Sequence, residues 1–240
     1  MKYTIYSLLV FMIFIFFNPE DVVRAKENKF TLSLGGGINQ SKPIALPKTL
    51  GNEYVTTHKI TELRGLNIVG LVKRKYEHYV FATGLGYKTI NFNFDQNFNP
   101  PNDWAITQSI AEPRLKYLYI PIKVYYPTLY GKLYLSASAE LCKLFDTINY
   151  EQIKSPIINQ ISDNNSLFWF DEYELFLFLG IGGVVFNKIN IEFEIGMTPT
   201  YVNYDYTIKE DSTLSLFHFA KKLYEIRFNV YFDFPDFKIN

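Results

Sequence analysis

The chain has 240 residues, enough for one all-β unit, and 18% of them are aromatic, with 22 Phe and 19 Tyr. Lys plus Arg and Asp plus Glu both number 24, and removing residues 1–25 takes Lys2 and Arg24 from one side and Glu20 and Asp21 from the other. The remainder is neutral and gives no electrostatic case for a nucleic-acid partner, while the single cysteine, Cys142, excludes an intramolecular disulfide.

The N-terminus opens with Lys2, runs through an apolar stretch from Leu8 to Phe17 and reaches Val23-Arg24-Ala25, the pattern of a cleaved signal peptide over residues 1–25. The apolar stretch is shorter than the ~20 residues a spanning helix needs, and no Cys stands beside it to carry a lipid. Residues 26–240 form the mature domain. They contain no long apolar segment, so insertion into a membrane must use strands.

Period-two patterning divides the mature domain into eight strands. The first six are expected near 29–38, 65–75, 78–94, 114–126, 132–147 and 172–186. In the fourth, Leu118, Ile120, Ile122, Val124 and Tyr126 oppose Tyr117, Tyr119, Lys123 and Tyr125. In the fifth, Leu133, Leu135, Ala137, Ala139 and Leu141 oppose Tyr134, Ser136, Ser138, Glu140 and Cys142, which reads as a small filler residue. The sixth is apolar on both faces, so its facing is not assigned. In the seventh, Ile189, Ile191, Phe193, Ile195 and Met197 alternate with Asn190, Glu192, Glu194, Gly196 and Thr198. The last puts Tyr224, Ile226, Phe228, Val230, Phe232 and Phe234 on one face and Glu225, Arg227, Asn229, Tyr231 and Asp233 on the other.

The connections alternate. Short turns fall at Lys75-Tyr76-Glu77, Thr128 to Gly131 and Asn187-Lys188, and long polar segments occupy 39–62, 95–113, 148–171 and 207–221. In an antiparallel meander this puts every long connection at one end, as in outer-membrane barrels with short periplasmic turns. A sheet edge in lipid leaves unpaired backbone groups that cost several kcal/mol each, roughly, so a spanning sheet must close. The expected fold is an eight-stranded antiparallel up-and-down transmembrane β-barrel in the outer membrane of a Gram-negative bacterium, with outer-membrane lipid and the barrel-insertion machinery as its partners. Tyr79, Tyr126, Tyr201, Tyr224 and Phe234 are placed to form interfacial girdles. Alternation alone also permits a soluble lipocalin-like barrel with its apolar face turned inward.

Lys123, Glu140, Glu192, Glu194, Glu225 and Arg227 share the polar face. The lumen of eight strands is just wide enough for side chains to fill, so these six are read as a buried salt-bridge plug, since buried charges must be paired. A proton path, or a carboxylate pair at Glu192 and Glu194, is the functional alternative. His58, His78 and His218 lack metal-ligand spacing, and no motif surrounds Ser215 and His218. Asp95 to Asn99 opens like a calcium loop, but Pro100 and Ile106 stand where Gly and Glu are needed. The chain is expected to be non-enzymatic and to carry no cofactor. Trp104, Ile106, Phe168, Trp169 and Phe170 form either a cap over the mouth or an external contact surface for a protein partner.

Phe30 to Gly37, Gly84-Leu85-Gly86-Tyr87-Lys88, Tyr117 to Lys123 and Gly180-Ile181-Gly182-Gly183 resemble the corresponding strands of PorT-like outer-membrane barrels, a likeness that spans nearly all of the mature chain. It implies fold and location, not activity, and favours protein secretion or gliding; the leading function is a structural, adhesion or secretion-accessory role. A small-solute channel and an outer-membrane lipid-modifying enzyme are the other readings. The tail from Pro235 to Asn240 departs from chains that stop at an aromatic residue, a role assigned here to Phe232 and Phe234.

Overall fold

The computed structural model describes residues 29–45, 55–98, 108–128, 132–154, 159–162, 168–169, 172–186, 188–199, 202–210 and 213–238. The segment read as a signal peptide lies outside them. In chain order the strands are β1 (Lys29–Ala45), β2 (Val55–Lys75), β3 (Val80–Phe98), β4 (Gln108–Pro127), β5 (Leu133–Lys154), β6 (Asn159–Ser162), β7 (Phe168–Trp169), β8 (Tyr173–Val185), β9 (Ile189–Met197), β10 (Val202–Glu210), β11 (Thr213–Asp233) and β12 (Phe237–Lys238).

Eight of these make the wall in the order β1-β2-β3-β4-β5-β8-β9-β11, and β11 pairs back onto β1. Closure runs from Ser33 opposite Asp233 to Ala45 opposite Lys221. Every pairing is antiparallel. β12 lies against the first residues of β1, pairing Phe237 with Phe30. Thr31 donates to Asp236 at 2.6 Å, and the Phe30 and Phe237 rings stack at 6.0 Å, so the tail is tied to the wall beyond Phe234.

Neighbouring strands meet at one end through short turns, closed by Tyr76 N–H to Tyr79 O at 2.8 Å and Thr128 N–H to Leu133 O at 2.8 Å. In the third turn Lys188 N–H reaches Phe186 O at 2.7 Å, and Phe186 holds a positive φ of 56°. A left-handed conformation costs a non-glycine residue roughly 1–2 kcal/mol.

At the other end the segments expected as long polar loops are largely strand. β1 continues to Ala45, β2 begins at Val55, β3 reaches Phe98 and β4 begins at Gln108. β5 runs to Lys154, where it pairs with β6, and 213–221 belong to β11, paired with β10. The reason is the backbone ladder: a strand continues wherever its N–H and C=O groups find a partner, whatever its side chains. Asp95 is accordingly a strand residue, accepting a hydrogen bond from Gln108 at 2.9 Å.

Side-chain bulk inside so narrow a barrel needs bare backbone opposite it. A Cβ placed on Gly86 would overlap the Tyr119 ring, and one on Gly35 would overlap Tyr231. Gly86→Val should therefore displace Tyr119, break its hydrogen bond to Asn67, and cost about 1–3 kcal/mol, the usual range for overpacking. The urea midpoint of the folded barrel checks this.

Candidate functional site

The facing of the seventh and last expected strands follows the expected alternation, whereas Val124 of β4 and Ala139 of β5, expected on the same face as the exposed Ile120 and Leu135, are buried. On β9, Phe193, Ile195 and Met197 point outward while Glu192, Glu194 and Asn190 are buried. On β11, Phe228, Val230 and Phe232 point outward while Glu225, Arg227, Asn229 and Tyr231 are buried. β8 resolves the strand that sequence left open: Leu177, Leu179 and Ile181 face outward, whereas Glu174, Phe176 and Phe178 are buried in the lumen.

The structure brings all six residues of the expected polar network together. Arg227 sends Nη1 and Nη2 to the two oxygens of Glu140 at 2.6 and 2.8 Å, a bidentate fork that adds geometric specificity to charge pairing. Its Nε donates to Glu225 at 3.0 Å. Lys123 bridges Glu192 at 2.6 Å and Glu194 at 2.8 Å. Ser136 donates to Glu192 and Asn229 to Glu194 at 2.8 Å.

Sequence reasoning missed several members. Lys88 bridges Glu140 at 3.1 Å and Glu225 at 3.2 Å, so it joins the two carboxylates that hold Arg227. Parity could have found it, because Leu85 is exposed, Tyr87 is on the same face of β3, and Lys88 is on the other. Asn39 donates to Glu225 at 3.0 Å, and Asn67 links Tyr119 at 2.6 Å to Asn229 at 3.0 Å. Nearer the short turns, Asp233 accepts from Lys73 and Asn190, both at 2.7 Å.

Aromatic rings close the remaining space. The Phe176 ring lies 3.6 Å from Lys88 Nζ and the Phe178 ring 3.8 Å from Arg227 Cζ, within cation–π range. Toward the strand-extension end the lining turns apolar at Ile90, Phe92, Leu115 and Leu223, and Tyr117 donates to Glu174 at 2.9 Å. Cys142 is fully buried in the same layer, as a filler residue would be.

Among the described residues no group of His, Cys, Asp and Glu is arranged to hold a metal ion. His78 is exposed on a turn. His58 lies in β2 and His218 and Ser215 in β11, where loops were expected. Phe168 and Trp169 form β7, paired with Tyr206 and Asp205 of β10. Trp104, Ile106 and Phe170 lie outside the described residues.

The outer wall is apolar all the way round. Leu34 on β1, Ile68 on β2, Leu85 on β3, Ile120 on β4, Leu135 on β5, Leu179 on β8, Ile195 on β9 and Val230 on β11 are all exposed. A soluble protein rarely exposes so large a continuous apolar surface, and polar groups fill the inside, which removes the lipocalin-like arrangement. The barrel is built for lipid. Rings flank the belt at the turn end, where Tyr79 stacks on Tyr76 at 4.8 Å and lies 6.3 Å from Tyr126, and Phe234 meets Phe232 edge-on at 5.1 Å. Tyr224 is half-buried, and Tyr201 lies outside the described residues. An even number of antiparallel strands, short turns at one end and an apolar exterior with aromatic margins are the features of the Gram-negative outer membrane. The chain is an outer-membrane β-barrel.

No known family model matches the sequence, and comparison with curated proteins gives no match. Among solved structures the barrel is similar to outer membrane protein AlkL in lipid bilayers, with 8% identity over 88% of this chain and 92% of that one and a TM-score of 0.46. It is also similar to the outer membrane protease OmpT from Escherichia coli, with 10% identity over 88% and 97% of the two chains and a TM-score of 0.44. Ail, the attachment invasion locus protein of Yersinia pestis, has 10% identity over 87% and 99% and a TM-score of 0.36. A protease and an attachment protein stand side by side in that set, so the likeness selects no activity.

Proposed function

We propose that this chain is a non-enzymatic outer-membrane barrel whose contact surface is the end built from extended strands, serving a structural, adhesion or secretion-accessory role of the PorT-like kind. The observation that supports it most is the filled lumen. Lys88, Lys123 and Arg227 cross-link Glu140, Glu192, Glu194 and Glu225 through the centre, which leaves the outer surfaces and strand extensions to act. The network serves as a plug. Residues 1–25 act as a signal peptide removed on export, residues 26–240 form the mature barrel, and the cellular insertion machinery places it in the membrane.

In planar bilayers the purified mature chain should show no unitary conductance. Ion steps comparable to those of an open pore would overturn the plug and favour the small-solute channel. The contact reading is tested in the native bacterium by deleting 46–54 or 99–107 while following barrel folding by heat-modifiable gel mobility. Loss of attachment or protein secretion with the barrel intact supports it, and unchanged attachment and secretion refutes it.

A further inference from the structure

Just beyond the apolar belt, at the strand-extension end, the outer wall carries basic residues on adjacent strands. Arg64 on β2 follows the exposed Leu66 on the outward face, and Arg114 on β4 follows Lys116 and the exposed Leu118. Asn91 of β3 stands between them: the register pairs it with Leu63 on one side and Arg114 on the other. Two strand spacings separate the arginines, roughly 10 Å. The register shifts between Leu63 and Asn67, and Asn91 Nδ2 donates to the Arg64 carbonyl at 2.7 Å, which fixes the irregular stretch that presents Arg64.

Three other cations of this margin are neutralised, while Lys59 lies farther from the belt on β2. Lys42 pairs with Glu62 at 3.6 Å, Lys116 with Asp146 at 2.5 Å and Lys143 with Glu172 at 3.5 Å. Arg64 and Arg114 are exposed, and no carboxylate among the described residues pairs with either. Glu112, one step farther from the belt on β4, bounds the site on its outer side. Two guanidinium groups thus sit at the level where apolar wall gives way to polar wall, which is where a lipid's chains end and its headgroup begins. Guanidinium matches a phosphate with two parallel hydrogen bonds.

We propose that Arg64 and Arg114 form a phosphate-binding site for the phosphorylated glycolipid of the outer leaflet, with its acyl chains against Leu66, Tyr87 and Leu118. The proposal rests on the strand-extension end facing outward, a reading that proteinase cleavage of intact cells tests separately. Binding is measured on the purified mature barrel in non-ionic detergent by native mass spectrometry, so a failure here leaves that orientation untouched.

The probes are bisphosphorylated lipid A, its dephosphorylated form, phosphatidylglycerol and inorganic phosphate. Bisphosphorylated lipid A should bind best, with the dephosphorylated form at least about tenfold weaker, the loss expected for one charge-assisted contact. The double variant Arg64→Gln, Arg114→Gln should lose that preference, and Lys75→Gln, Lys188→Gln at the turn end should keep it. Gel mobility confirms folding, and Arg64→Lys, Arg114→Lys keeps the charge while removing the fork, so it should fall between. Equal lipid A binding by parent and double variant overturns the site. Phosphatidylglycerol or inorganic phosphate binding as well as lipid A overturns it too, as a general anion contact.

Discussion

Replacing Glu140 with alanine should destabilise the folded barrel by about 3–5 kcal/mol, the range for removing one partner of a buried ion pair. The substitution strands two cations at once, because Glu140 receives both prongs of the Arg227 fork and one hydrogen bond from Lys88. Glu225 still contacts both cations and Glu194 lies 4.0 Å from Arg227, but neither replaces the lost fork. Urea unfolding in lipid vesicles, followed by Trp fluorescence, reads the change. The double variant Glu140→Leu, Arg227→Met should cost less than the sum of its two single variants, since it removes opposite charges together. A Glu140→Ala barrel within about 0.5 kcal/mol of the parent would instead behave like a surface substitution, meaning that water enters the lumen and solvates the stranded charges.

The second large effect is expected on the outside of the wall. Leu179 is 72% exposed and sits midway along β8 between Tyr173 and Phe186. Leu179→Arg should cost about 2–4 kcal/mol at the bilayer midplane, while Leu179→Phe should be close to neutral. In a soluble barrel the arginine would meet water and cost almost nothing. Measuring both variants in vesicles therefore tests facing and environment in a single experiment, and a silent Leu179→Arg would remove the membrane assignment.

Much of this architecture was legible in period-two patterning, and the exceptions have physical causes. β9 and β11 carry carboxylates, asparagine and arginine on one face, so their inward parity is plain in the sequence. β8 hides its parity because Phe176 and Phe178 act as lumen filler beneath cations, and apolar residues outside meet lipid. Lys88 is inconspicuous in the sequence because Gly84 and Gly86 occupy the inward positions before it and leave little contrast with Leu85 and Tyr87. The strand extensions read as polar loops because, above the belt, both faces can be polar. There the apolar signal disappears while the ladder continues, as between Asp95 and Ile110. The outward Arg64 and Arg114 carried no motif. Only the register, with Asn91 between them, places them together.

Closure of the wall by its first and last strands governs the timing of assembly. Gly35 finds Tyr231 only after nearly all the intervening chain has been delivered, and contacts so distant in sequence form slowly because the connecting chain must be ordered first. The interior obeys the same schedule: Lys88 is 137 residues from Glu225, and Arg227 is 87 from Glu140. Until β11 arrives, the growing sheet has both an unsatisfied edge and a set of unbalanced charges, each opposing entry into lipid. An unclosed sheet is therefore disfavoured in lipid, and pairing of the final strand removes both penalties at once.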